Sequence, residues 1–343
     1  MTSENPIALA KAINEGLRVA LKQDKKVLVC GEDIGPLGGV FRVTDGLTQE
    51  FGEKRVFDTP LAESGIIGTA IGLALRGYRP VCEIQFDGFI FPGFDQITTQ
   101  LAKMHYRSEG KLHLPVVIRV PYGGGIGGIE HHSESPEVLF AHTPGLRVVS
   151  PATPQDAYVM IQEAIHCPDP VLFFEPKGRY WQKSTVDLSQ GPYAGTSQWE
   201  SSQNEQAYPT LNQAQIAKRG TDLTLVAYGP SVHNALNAAQ VASEEGKNIE
   251  VIDLRTISPL DIATVIESVK RTQRCVVVHE AHSFYGPGAE IASQVTQECF
   301  YHLQAPVLRV GGYHMPYPVA KNENEYLPNV DRILDAVDES FTH

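Results

Sequence analysis

The chain has 343 residues, 42% of them apolar, and a formal net charge of −12. That length exceeds one small domain and the apolar share fills proper cores, so two domains are expected. The acidic balance argues against nucleic acid and anionic membrane as partners.

From Ile7 to Leu21 the residues Leu9, Ile13, Leu17 and Leu21 recur every four positions, which predicts an amphipathic helix. No cationic, apolar leader opens the chain, and no apolar run approaches the ~20 residues of a membrane span. A soluble, cytoplasmic protein is expected. Short β-branched runs then alternate with helical stretches. Strands are predicted at Val27–Cys30, Pro80–Phe86, Pro115–Val120, Arg147–Ser150 and Val171–Glu175. In the second half they fall at Leu223–Tyr228, Glu250–Asp253, Cys275–His279 and Val307–Val310. Little polar alternation marks these runs, as in parallel strands buried on both faces. A helix is predicted from about Ser231 to Glu245, ending at Gly246. Another is predicted to begin at Ser258-Pro259-Leu260-Asp261, with serine as cap and proline in the first turn. The fold class is therefore α/β, with two doubly wound, mostly parallel-sheet domains. Residues 1–182 and 214–343 are expected to form them. The Ser-, Gln- and Gly-rich stretch 183–213 reads as the connection. Cys30, Cys82, Cys167, Cys275 and Cys299 form no CxxC pair and read as inert, reduced thiols.

Several segments carry chemistry. Asp58-Thr59-Pro60-Leu61-Ala62-Glu63 follows the strand-like Val56-Phe57 and enters a helix with Gly65, Gly68 and Gly72 on one side. Interior helix glycines cost about 1 kcal/mol each against alanine, so close approach of a backbone or ligand ring is the expected reason. Glu63 at that helix start is either a solvated first-turn carboxylate or a functional one. Glu83-Ile84-Gln85-Phe86-Asp87-Gly88-Phe89 closes a strand at the end where α/β folds bind ligands, although Phe89 and Phe91 also suit core packing. The run Gly123-Gly124-Gly125-Ile126-Gly127-Gly128 lacks the phosphate-loop lysine, so a tightly turned active-site loop is expected rather than a phosphate cradle. His131-His132-Ser133-Glu134-Ser135-Pro136-Glu137 follows at once. Adjacent histidines rarely share a metal and no HExxH is present, so no metal ligands are assigned; a histidine there suits proton transfer. No GxSxG elbow is present.

Taken together, GEDIGPLGGVFRVTDGL at Gly31–Leu47, DTPLAESGIIGTAIGLALRGYRP, EIQFDGFIFP, HHSESPE and VIDLRTISPLD at Val251–Asp261 resemble the β-subunit family of 2-oxo acid dehydrogenases, a transketolase-like thiamine branch. The ordered set spans nearly the whole chain. EIQF, FPGFDQI and HHSESPE look more like the branched-chain 2-oxo acid members; pyruvate and acetoin members are the alternative.

The resemblance implies that 1–182 is a pyrimidine-binding domain and 214–343 a transketolase C-terminal-like domain for dimerisation and acyltransferase docking. It implies thiamine diphosphate as cofactor, with Glu63 hydrogen-bonding the aminopyrimidine nitrogen. That bond promotes the ring tautomer that deprotonates the thiazolium. Phe89 is implied to stack on the ring, with Gln85 and Ile66 also at the cofactor. His132 is implied to orient or transfer protons as the acyl group passes to lipoamide; His131 carries no assigned role. No Gly-Asp-Gly segment occurs. Mg2+ and the diphosphate are therefore expected on a separate α subunit, in an α2β2 heterotetramer that passes its acyl group to a lipoyl-bearing dihydrolipoyl acyltransferase. A structural K+ held by loop carbonyls is a further family feature. A self-sufficient sugar-transferring enzyme and a non-catalytic nucleotide-binding scaffold are the competing expectations. The missing Gly-Asp-Gly counts against the first, and the Glu63, Phe89 and His132 set against the second.

Overall fold

A computed structural model describes residues 6–192 and 211–343. The first helix, α1 (Leu9–Gln23), buries Leu9, Ile13, Leu17 and Leu21 to 2% exposure or less. Each such side chain is worth roughly 1.5–3 kcal/mol when removed from water. This one stripe docks α1 onto α3 (Pro154–His166), with α2 (Glu63–Leu75) lying between them in the chain. Gly16 permits the approach, because a Cβ there would collide with the Tyr158 carbonyl at 2.9 Å.

The first sheet contains β1 (Val27–Gly31), β2 (Val56–Asp58), β3 (Arg79–Glu83), β4 (Val117–Tyr122), β5 (Arg147–Val149) and β6 (Val171–Pro176). The second half contributes β7 (Gln215–Lys218), β8 (Leu223–Ala227), β9 (Ile249–Asp253), β10 (Thr256–Ser258), β11 (Cys275–His282) and β12 (Leu308–Gly312). Among the described residues, one seven-stranded sheet runs β10-β5-β6-β4-β3-β1-β2 and one five-stranded sheet runs β12-β11-β8-β9-β7. All pairings are parallel except the edges β10 on β5 and β7 on β9. Strands β1, β4, β6, β8 and β9 are buried at every position, which is why their sequences are mainly apolar on both faces, with a few buried polar residues such as Arg119 and Glu175. A short ribbon, Ile7–Ala8 on Lys183–Ser184, ties down the start of α1.

Helix α4 (Ser231–Glu244) ends before Gly246, which takes φ +83°, as expected for a glycine terminator. The helix expected from Ser258 differs. Thr256–Ser258 is a strand, and α5 begins at Ile262, with the Asp261 carboxylate accepting from Thr264 N. Proline disfavours the helical region for the residue before it, so Ser258 stays extended and the capping role moves to Asp261. Predicted strand Pro80–Phe86 also shortens: after Glu83 the chain turns into a short, tight helical segment, Asp87–Gly93. Of the connection expected over 183–213, residues 193–210 lie outside the described residues.

Helices α6 (Pro287–Cys299) and α7 (Val330–Phe341) pack on the second sheet. All five cysteines are free, four of them buried. No helix among the described residues is long and apolar enough to cross a membrane.

Candidate active site

In the first sheet the chain runs from β1 outward to β2, then returns across β1 to β3 and onward to β4. The order therefore reverses between β1 and β3, and open parallel sheets bind ligands at the carboxyl ends of such a pair. Glu32 follows β1, Glu63 follows β2, Gln85 to Phe89 follow β3, and the glycine loop with His132 follows β4. The Gln85 amide bridges the reversal point, donating to the Glu32 carbonyl at 3.3 Å and the Asp33 carboxylate at 2.9 Å.

Glu63 is the first residue of α2 and only 8% exposed. No side chain among the described residues hydrogen-bonds its carboxylate. Glu32 lies against it, with one carboxylate oxygen buried and unpaired. Burial first, then the charges of Glu63 and Asp33, raise the Glu32 carboxyl above its ordinary value. Glu32 was not singled out in the sequence; its only signal was its place directly after a buried strand. Ile66 packs into the core, 3% exposed. On the same helix Gly68 and Gly72 face open space, with nothing within 4 Å of a Cβ. Within this chain they accommodate no neighbour.

The segment Asp87–Gly93 packs against both the start of α2 and the turn Glu130–His132. Around it forms an aromatic cluster. Phe86 stacks on the His132 ring at 3.9 Å and 19°, and Phe89 meets both rings edge-on, at 6.0 and 5.2 Å. His131 lies 6.2 Å from Phe89. Phe86 is the aromatic that sequence reasoning passed over. His132 Nδ1 is 2.9 Å from the His131 carbonyl. A carbonyl only accepts, so Nδ1 carries the proton in the neutral ring and Nε2 holds the lone pair. Gly88 is needed here for contact rather than conformation: a Cβ would sit 2.9 Å from His131 Cβ and closer still to its carbonyl oxygen.

Beneath the aromatics lie buried ion pairs. Lys177 Nζ is 2.5 Å from Asp87 Oδ1, while Asp87 Oδ2 accepts the Glu134 amide at 2.8 Å and so pins the segment after the histidines. Burial pushes the Asp87 carboxyl up and the Lys177 amine down, each opposed by the other. Arg119 bridges Glu83 and Glu175, both at 2.6 Å, so the Glu83 that opens EIQF is fixed inside the sheet. Removing one partner of such a buried pair costs about 3–5 kcal/mol.

The glycine loop does not present its amides to an empty cradle. Gly124 N donates to Glu280 at 2.9 Å, and Gly125 and Gly127 donate to Glu323 at 2.9 and 3.1 Å. Both carboxylates come from the second half, and neither was visible as a partner in the sequence.

Residues 5–182 match the family model described as "Transketolase, pyrimidine binding domain", and residues 212–333 match "Transketolase, C-terminal domain". A "Pyruvate dehydrogenase E1 component subunit beta" of Leifsonia xyli is 56% identical over 98% of this chain and 95% of its own length. A "3-methyl-2-oxobutanoate dehydrogenase subunit beta" of Mycobacterium tuberculosis is 48% identical over 97% and 91%. The chain belongs to the E1 β-subunit family of 2-oxo acid dehydrogenases. A "Pyruvate dehydrogenase E1 component subunit beta" of Bacillus subtilis, 44% identical over 96% and 97%, is a further similar member. Among solved structures, "Split gene transketolase, inactive beta4 tetramer" superposes with a TM-score of 0.74 at 22% identity, over 98% of this chain and 99% of that one, which speaks for the fold. As an E1 β subunit of transketolase-like, two-domain architecture, the chain serves a thiamine-diphosphate-dependent oxidoreductase.

Proposed function

We propose that this E1 β subunit forms the pyrimidine half of a thiamine-diphosphate site that decarboxylates branched-chain 2-oxo acids. It works with an α subunit in an α2β2 heterotetramer that delivers the acyl group to a lipoyl-bearing acyltransferase. The observation that carries this is the position of Glu63: a buried carboxylate at a helix start, without a side-chain hydrogen-bond partner among the described residues, beside the reversal point of a parallel sheet. A carboxylate so placed fits a ring nitrogen that needs a hydrogen-bond partner, and the unpaired Glu32 oxygen next to it marks a polar wall lacking its complement. Phe89 and Gln85 line the same end of the sheet. Ile66 supports it from the core. Bound thiamine diphosphate supplies the carbon nucleophile and electron sink, which no side chain can provide. Glu63 holds a proton at the pyrimidine nitrogen. His132, held by Phe86 and by its own Nδ1 bond, moves a proton at Nε2 when the acyl group passes to the lipoyl sulfur. Mg2+ and the diphosphate belong on the α subunit, and a structural K+ on loop carbonyls. Residues 1–182 carry this site, and 214–343 serve dimerisation and docking in the cytoplasm.

The branched-chain assignment rests on EIQF, FPGFDQI and HHSESPE. A preference for pyruvate is the second possibility, favoured by the 56% identical relative named a pyruvate dehydrogenase subunit. Reconstitution with the α subunit, assayed on 3-methyl-2-oxobutanoate, 4-methyl-2-oxopentanoate and pyruvate with and without cofactor and Mg2+, tests both. Turnover needing both subunits and the cofactor, and strongest on the branched acids, supports the full proposal. Preference for pyruvate removes the substrate assignment alone. Glu63→Gln should abolish decarboxylation while the subunits still assemble; near-normal turnover would remove Glu63 from the mechanism.

A further inference from the structure

The turn bearing His131 and His132 is a short excursion between two anchored ends. At its far end the Glu134 amide is fixed on Asp87, and the Glu134 carbonyl accepts Gly123 N at 2.9 Å. At its near end lies a run of glycines. Gly125 and Gly127 take φ of +90° and +66°, a backbone form open to glycine at little cost, and one that leaves a free loop highly mobile. That mobility is removed by one buried side chain. Glu323, 7% exposed, accepts Gly125 N and Gly127 N with its two oxygens and Tyr317 Oη at 2.6 Å. Glu280 takes the next amide, that of Gly124. Successive amides turned towards one anion form a nest of the kind that binds phosphate; here the protein fills it with its own carboxylates. A loop that had only to pack could have used apolar side chains. Three glycines with one buried and one half-buried acid fix a backbone path instead.

We infer that Glu323, assisted by Glu280, is a positioning residue for His132: the second half of the chain holds the glycine loop and thereby sets where the proton-transferring imidazole stands. This rests on the role given to His132 above. Glu323 touches no reacting atom. Its effect passes through Gly125 and Gly127 to the turn three residues further on.

The test uses the chain reconstituted with its α subunit, carrying Glu323→Ala, Glu323→Gln, His132→Ala or Glu323→Ala with His132→Ala. Hydrogen exchange over residues 123–134 should quicken about tenfold or more in Glu323→Ala, because its amides lose charge-assisted acceptors. Glu323→Gln, which keeps one acceptor oxygen, should fall between the alanine variant and the parent. Acylation of a free lipoyl domain should drop about tenfold while decarboxylation read with an artificial electron acceptor changes much less, and the double variant should be no slower than His132→Ala. Multiplying losses in the double variant, or exchange unchanged over 123–134, would overturn the inference. If His132→Ala itself spares acylation, the role of His132 falls separately, and faster exchange still sustains Glu323 as the holder of the turn. Should Glu323→Ala fail to assemble, Glu323→Gln and Tyr317→Phe carry the same measurements, with intermediate exchange expected and unchanged exchange refuting.

Discussion

Replacing Gly88 by alanine tests the packing of the site with one methyl group. The backbone at Gly88 is not left-handed, so alanine meets no conformational penalty there. The added Cβ would lie 2.9 Å from His131 Cβ, where carbon atoms normally keep about 3.5–4.0 Å. Relief requires the His131 backbone to move by roughly 1 Å. His132 must follow, because its Nδ1 is bonded to the His131 carbonyl and its ring is stacked on Phe86. Overpacking of this kind costs about 1–3 kcal/mol of stability. A misplacement near 1 Å in a catalytic group costs on the order of a hundredfold in rate. Urea unfolding of the isolated chain should therefore show a modest loss, and lipoyl-dependent turnover of the reconstituted enzyme a much larger one. Parent-like turnover in Gly88→Ala would refute the idea that the turn is held tightly enough for its position to matter.

Burial pushes the Glu137 carboxyl up to about 7 from an ordinary 4.5, while Oε1 accepts the Tyr228 hydroxyl at 2.7 Å. The folded chain thus retains a proton that the unfolded chain has lost, so this contribution to stability is full below pH 4.5 and fades as pH rises through 7. Glu137→Gln keeps the acceptor and cannot ionise; it should be more stable than the parent at pH 8, by roughly 1–3 kcal/mol, and similar at pH 4.5. Parallel pH–stability curves would contradict this. Gly68→Ala should stabilise the isolated chain by up to about 1 kcal/mol, since helix propensity improves and the new methyl meets nothing. A loss in its thermal unfolding would show that this face of α2 is not free within the chain.

Strand type was readable wherever both faces are buried, as in Val117–Tyr122 and Leu223–Ala227, because each run carries only one polar side chain, Arg119 or Thr224, and shows no polar alternation. Local rules failed where two of them competed. Ser258 carries a capping side chain, yet the proline after it forbids the helical backbone, and Asp261 took the cap. At the site, Phe89 and His132 meet edge-on, Gln85 reaches back to Glu32 and Asp33, and Glu63 stands at the helix start that its segment announced. Phe86 and Glu32 escaped notice because a residue beside a strand end gives no local sign of which way it faces. Glu280 and Glu323 were harder still. Their partners lie 156 and 198 residues earlier in the chain, and only folding of the second half brings acid to amide. The glycine run could be recognised as a loop, but what fills it could not.

The outermost strand of the first sheet, Thr256–Ser258, is lent by the second half and pairs antiparallel with Arg147–Val149. A gene cut inside residues 193–210 would thus yield two products, neither of them a self-sufficient unit. The first would carry a raw β edge along Arg147–Val149, which invites pairing with other copies and precipitation. Supplied together, the two products would each complete the other, so co-expression should rescue both. For anyone recombining such subunits, the exchangeable module is the whole chain.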